Sequence, residues 1–92
     1  MAFVIVTLKV MPTSPEIDLD AMEVKVKEEI KSFAGDRKME SKIEPVAFGL
    51  NSLNVTFLMD ESQGSPDPLA EKVGKFEGVN SAEITDVSRA LG

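Results

Sequence analysis

Pro45-Val46-Ala47-Phe48-Gly49-Leu50 lies near the midpoint of a 92-residue chain, between two stretches in which apolar and polar residues alternate. The segment leaves room for only a short reversal, and a short reversal between two strands makes them an antiparallel hairpin. Upstream, Lys38 to Val46 sets Met39 and Ile43 against Glu40, Lys42 and Glu44, a charged pattern that suits an edge strand. Downstream, Leu53, Val55, Phe57 and Met59 alternate with Asn54 and Thr56 as far as Asp60, the period-two pattern of a half-buried strand.

The same reading extends outward in both directions. Phe3 to Met11 places Val4, Val6, Leu8 and Val10 on one side and Thr7 and Lys9 on the other, and Pro12 is expected to end its pairing. Phe3 and Ile5 interrupt the polar side and predict a small apolar patch on an open sheet face. After a turn-rich connector, Thr13 to Ile17, Asp18 is placed to N-cap a helix whose stripe is Leu19, Met22, Val26, Ile30 and Phe33. Gly35 is expected to close that helix in a left-handed conformation after about 24 Å. Glu23 and Lys27, with Lys25, Glu28, Glu29 and Lys31, read as its water-facing surface.

Glu61 to Gly64 reads as a loop, and Ser65-Pro66-Asp67-Pro68 as an N-cap with proline in the first turn. Leu69, Val73 and Phe76 continue a second helical stripe, with Gly74 expected to allow close packing on the sheet and Gly78 to end it. Val79 to Arg89 changes parity between Ala82 and Ile84 on one side and Val87 on the other, which predicts a bulge near Thr85. The order strand, helix, strand, strand, helix, strand is α+β: a ferredoxin-like two-layer sandwich, a four-stranded antiparallel sheet with two helices on one face. Residues 1–92 read as a single domain.

Composition removes several function classes. The chain has no cysteine and no histidine, which excludes zinc chemistry and Ser/Cys-His catalysis. Sixteen acidic residues against ten basic ones give a net charge of −6, which argues against direct nucleic-acid binding and favours a basic protein partner. The longest apolar run, Ala2 to Val6, is too short to cross a membrane, and no secretion signal is visible, so the expected location is cytoplasmic.

A fold of this kind hosts many activities, so function must be sought in sites. RNA recognition would need stacking aromatics and basic residues on the two central strands, where this chain offers Thr7, Lys9, Asn54 and Thr56. Asp60, Glu61 and Asp67 match no metal-binding loop and read as a hydrated charge cluster. Phe48 admits two readings: its ring folds back over the sheet edge, or it is a rigid anchor that enters a partner's pocket.

Val6-Thr7-Leu8-Lys9-Val10-Met11-Pro12, Ile17-Asp18-Leu19, Pro45 to Leu50, and Gly78-Val79 through Thr85-Asp86-Val87 together resemble the archaeal translation elongation factor 1-beta family over nearly the whole chain. The resemblance implies a ferredoxin-like guanine-nucleotide exchange domain acting on elongation factor 1-alpha, the GTPase that delivers aminoacyl-tRNA. It implies no catalytic residue, cofactor, metal or membrane, and a monomer is favoured. Phe48 occupies the aromatic place of the family's hairpin segment and is expected to touch the GTPase, with Gly49 shaping the turn. Eukaryotic members carry near the carboxyl end a lysine that disturbs the partner's magnesium site. Gly92 occupies that place here, which leaves Arg89 as the nearby cation that could serve. The alternative from another class is a small ferredoxin-like ligand-binding module, or one that dimerises through the open face around Phe3 and Ile5.

Overall fold

A computed structural model describes residues 2–89. Four strands, β1 (Phe3–Pro12), β2 (Met39–Pro45), β3 (Asn51–Asp60) and β4 (Val79–Arg89), and two helices, α1 (Leu19–Ala34) and α2 (Asp67–Gly74), follow one another in the expected order. The sheet runs β2-β3-β1-β4, with every neighbouring pair antiparallel. Both helices pack on one side of it, giving the ferredoxin-like sandwich.

Alternation decides which side is covered. Val6, Leu8 and Val10 from β1 and Leu53, Val55, Phe57 and Met59 from β3 are buried against Met22, Val26 and Ile30 of α1 and Leu69 and Val73 of α2. Leu19 and Phe33, at the two ends of the α1 stripe, are half-buried against this core. Asp18 caps α1 as expected, accepting at Oδ1 from the amides of Asp20 at 3.0 Å and Ala21 at 3.3 Å. Gly35 closes the helix at φ 94°, but its ψ of 167° is extended and not left-handed helical, and the chain turns directly after it, the Arg37 amide donating to the Gly35 carbonyl at 3.0 Å.

Glu23 ties α1 to the edge strand: its carboxylate accepts from the Ser41 hydroxyl at 2.8 Å and pairs with Lys27 at 2.8 Å. The Lys27 bond, and then the Ser41 bond, hold its carboxyl below the ordinary 4.5. Glu29 does not simply face water, because it bridges the helices through Lys72 at 2.9 Å.

Four local expectations are corrected. Pairing in β1 runs through Pro12, which sits opposite Val79 and is buried; a register shift between Met11 and Pro12 absorbs its missing amide, and the Thr13 amide then donates to Gly78 at 2.9 Å. Glu61–Gln63 is a single 3₁₀ turn, not an irregular loop. Helix α2 starts at Asp67 with Pro66 at the cap and ends at Gly74, leaving Phe76 beyond it, half-buried against the core. A Cβ on Gly74 would lie 4.0 Å from that of Ala82, an ordinary contact, so close packing is not what this glycine provides. The expected irregularity in β4 is present: Thr7 faces Asp86 while Leu8 faces Ile84, which leaves Thr85 as the bulged residue.

Candidate functional site

At the β2–β3 corner the Leu50 amide donates to the Ala47 carbonyl at 3.0 Å, and the Val46 amide to Leu50 at 2.8 Å. Both central residues have positive φ, 57° at Phe48 and 77° at Gly49, the pattern of a type I′ turn that matches the twist of a hairpin. Glycine adopts this conformation freely, whereas an L-residue pays roughly 1–2 kcal/mol. Phe48 is the only non-glycine residue at positive φ among the described residues. Its ring is 95% exposed, so it does not fold back over the sheet edge. Within the chain, neither packing nor backbone preference accounts for phenylalanine here.

Arg89 occupies the opposite end. It sits opposite Val4 near the start of β1, and its Nη2 donates to Glu61 Oε1 at 2.8 Å. The 3₁₀ turn that carries Glu61 is a bracket: Asp60 Oδ1 accepts from the Ser62 amide at 2.9 Å, Gln63 reaches back to the Asp60 amide and across to the Phe33 carbonyl, and the Glu61 amide donates to Ala2 at 2.9 Å. The Ser62 amide bond holds the Asp60 carboxyl below its ordinary value. These acids cap and pair, and among the described residues no group of three or more acids is placed to hold a metal ion. Sequence reading missed this bracket, although Asp60-Glu61-Ser62-Gln63 carries the spacing of a capping box.

The structure therefore brings Phe48 and Gly49 together and sets Arg89 apart from them. The domain is 41 Å long, and the two positions lie at opposite ends of strands that span about 30 Å. Gly92 lies outside the described residues. Between the two ends, the open face carries Ile5 and Leu58 opposite each other and, farther along, Thr7 and Thr56 sharing a hydroxyl hydrogen bond at 3.2 Å. The expected apolar patch is half-buried, because the Arg37 guanidinium covers the Phe3 ring at 4.6 Å.

A model of the EF-1 guanine nucleotide exchange domain matches residues 5–90. The chain belongs to that family. Members of the family that are named elongation factor 1-beta resemble it end to end. That of Methanosphaera stadtmanae is 41% identical over 91 residues, covering 99% of this chain and 100% of that protein. Those of Methanothermobacter thermautotrophicus and Methanococcus maripaludis are 37% and 40% identical over 99% and 96% of this chain, and 100% and 98% of theirs. Family membership makes this a guanine-nucleotide exchange factor of translation elongation. Among solved structures, the de novo designed protein Foldit4 superposes with a TM-score of 0.62 at 15% identity, covering 98% of each chain. BlrP1 BLUF superposes with a TM-score of 0.58 at 10% identity over 100% of this chain and 57% of its own. These two likenesses show the sandwich fold alone. No helix of the described residues is long and apolar enough to cross a membrane.

Proposed function

We propose that residues 1–92 act as one cytoplasmic, monomeric exchange domain that accelerates GDP release and GTP loading on elongation factor 1-alpha, without a covalent step, cofactor or bound metal of its own. The observation that carries this reading is the Phe48 ring, fully presented on a turn whose backbone disfavours it. A rigid aromatic held away from its own core is the residue type that anchors protein interfaces. Gly49 supplies the second positive φ of the turn. Arg89, at the far end, makes a separate contact, so the GTPase is held at two points and not at one patch.

Exchange by this route is a matter of differential binding. A domain that binds the emptied GTPase more tightly than the GDP-bound form must weaken GDP by the same factor. Moving a population from 1:99 to 99:1 takes about 5.5 kcal/mol of differential affinity, within reach of a few anchors in an interface of about 800 Å² per partner. Histidine and cysteine are not needed for that.

The test is release of labelled GDP from elongation factor 1-alpha. Addition of the domain is expected to accelerate release by orders of magnitude, and no acceleration over a wide concentration range rejects the proposal. Equal affinity for the GDP-bound and nucleotide-free GTPase, measured by calorimetry, would reject it as well.

A further inference from the structure

We infer that the hollow between the start of α1 and the β2 arm of the hairpin is a further contact point for the same GTPase, and that it takes a lysine or arginine side chain. The inference rests on the exchange reading above and extends it beyond the hairpin tip. Of the five exposed large apolar side chains among the described residues, three, Ile43, Val46 and Phe48, fall within six positions of the hairpin. The apolar surface at this corner therefore runs down the β2 arm and does not stop at the ring. Ile43 stands opposite the buried Leu53, which places it on the helix side of the sheet. There it forms one wall of a hollow of about 270 Å³, which Asn51, next to the turn, also lines.

The other walls come from the connector and the first turn of α1: Pro12, Ile17 and Leu19 are apolar, and Asp18 and Asp20 carry the charge. Ile17 and Leu19 pack against the core, so that side is fixed. The volume is below the roughly 300–1,000 Å³ of a small-molecule site and suits a single side chain. No lysine or arginine lines the hollow. From Val10 to Met22 the chain has Glu16, Asp18 and Asp20 and no basic residue, and neither aspartate is in an ion pair among the described residues. Lys42, next to Ile43 in sequence, alternates to the other face and pairs with Glu44 at 3.8 Å. Asp18 accepts from the Asp20 and Ala21 amides at Oδ1, which leaves Oδ2 to meet a further donor. The start of α1 adds about half a positive charge against two carboxylates, so the hollow stays negative. A wholly apolar occupant would strip water from the aspartates without replacing it, and an anion would be repelled. Lysine and arginine satisfy both parts, because their methylenes can lie along Ile43, Leu19 and Pro12 while the charged head meets Asp18 and Asp20.

Binding of nucleotide-free elongation factor 1-alpha would be measured for three proteins beside the wild type. Asp18→Asn/Asp20→Asn removes both charges and keeps the helix cap, because asparagine caps about as well as aspartate. Because the chain has no cysteine, Ser14→Cys can carry a bulky maleimide adduct that fills the hollow from the connector, and Glu28→Cys carries the same adduct on the exposed side of α1 as a control. Circular dichroism and thermal melting establish that each is folded. The Ser14 adduct is expected to weaken binding by at least about tenfold and the Glu28 adduct by less than about twofold. The asparagine pair is expected to weaken it by at least about threefold at low salt, with the difference from wild type closing as salt rises. A smaller effect of the asparagine pair overturns the inference, as does a loss from the Glu28 adduct equal to that from the Ser14 adduct, and wild-type binding in either case leaves the exchange reading standing. Failure of the wild type to bind rejects the exchange reading and this contact with it. Self-association of the wild type in light scattering, abolished by the Ser14 adduct, assigns the hollow to a second copy of the chain and overturns the inference.

Discussion

Phe48 and Phe57 stand on the same hairpin and obey opposite rules. Phe57 is 2% exposed, on the covered side of β3, in a backbone conformation that suits an aromatic residue. Phe48 is 95% exposed, in a conformation that suits glycine. The first ring contributes to folding and would be replaced only by another residue of similar volume. The second opposes folding slightly, and under the proposed function its place is to meet the GTPase. On that proposal, two identical side chains separate the part of the molecule that makes the domain from the part that uses it.

The most severe way to test that separation is Phe57→Ala, which is expected to cost about 3–5 kcal/mol of unfolding free energy, read by denaturant titration, and to reduce exchange only as far as the folded fraction falls. Phe48→Gly should reverse the sign of the stability change and lower exchange directly. Exchange is expected to fall by the equivalent of about 2 kcal/mol, while stability rises by roughly 0.5–1 kcal/mol as the positive-φ penalty is relieved. A Phe48→Gly protein that is less stable, or exchanges normally, would place the ring in the folding set.

A smaller effect belongs to the edge strand that carries one arm of the hairpin. The folded-state pKa of Glu23 lies below its ordinary 4.5, so its contribution is complete above that value and lost as pH falls through the folded-state value. Glu23→Gln is expected to lose about 0.5 kcal/mol at neutral pH and nothing at strongly acid pH, with exchange unchanged. Smallest of all, Arg89→Gln should alter stability by only a few tenths of a kcal/mol, because the Arg89 side chain is 72% exposed and its pair with Glu61 is screened by solvent. A clear loss of exchange in that variant, without loss of fold, would put Arg89 in the same class as Phe48.

Much of the covered layer was legible because periodicity is a local property. Alternation in β1 and β3, the Asp18 cap and the parity change at Thr85 each depend on residues a few positions apart. Pro12 was misjudged because the loss of one amide can be absorbed by a bulge on a strand 67 positions away, opposite Val79. Ser52, on the same side of β3 as Asn54 and Thr56, is only 2% exposed: its hydroxyl donates to the Glu44 carbonyl and accepts from the Asn54 side-chain amide, partners the alternation does not reveal. The Arg89–Glu61 and Lys72–Glu29 pairs join elements that no spacing rule connects.

By itself the sequence determined the order of elements, the covered face and the residue types of the hairpin corner, since turn chemistry and hydrophobic period act over short stretches of chain. Only the tertiary structure decided that Phe48 stands clear of the sheet at positive φ and that Arg89 is bracketed at the opposite end. Those facts depend on how distant strands come into register, and register is fixed by the packing of the whole core.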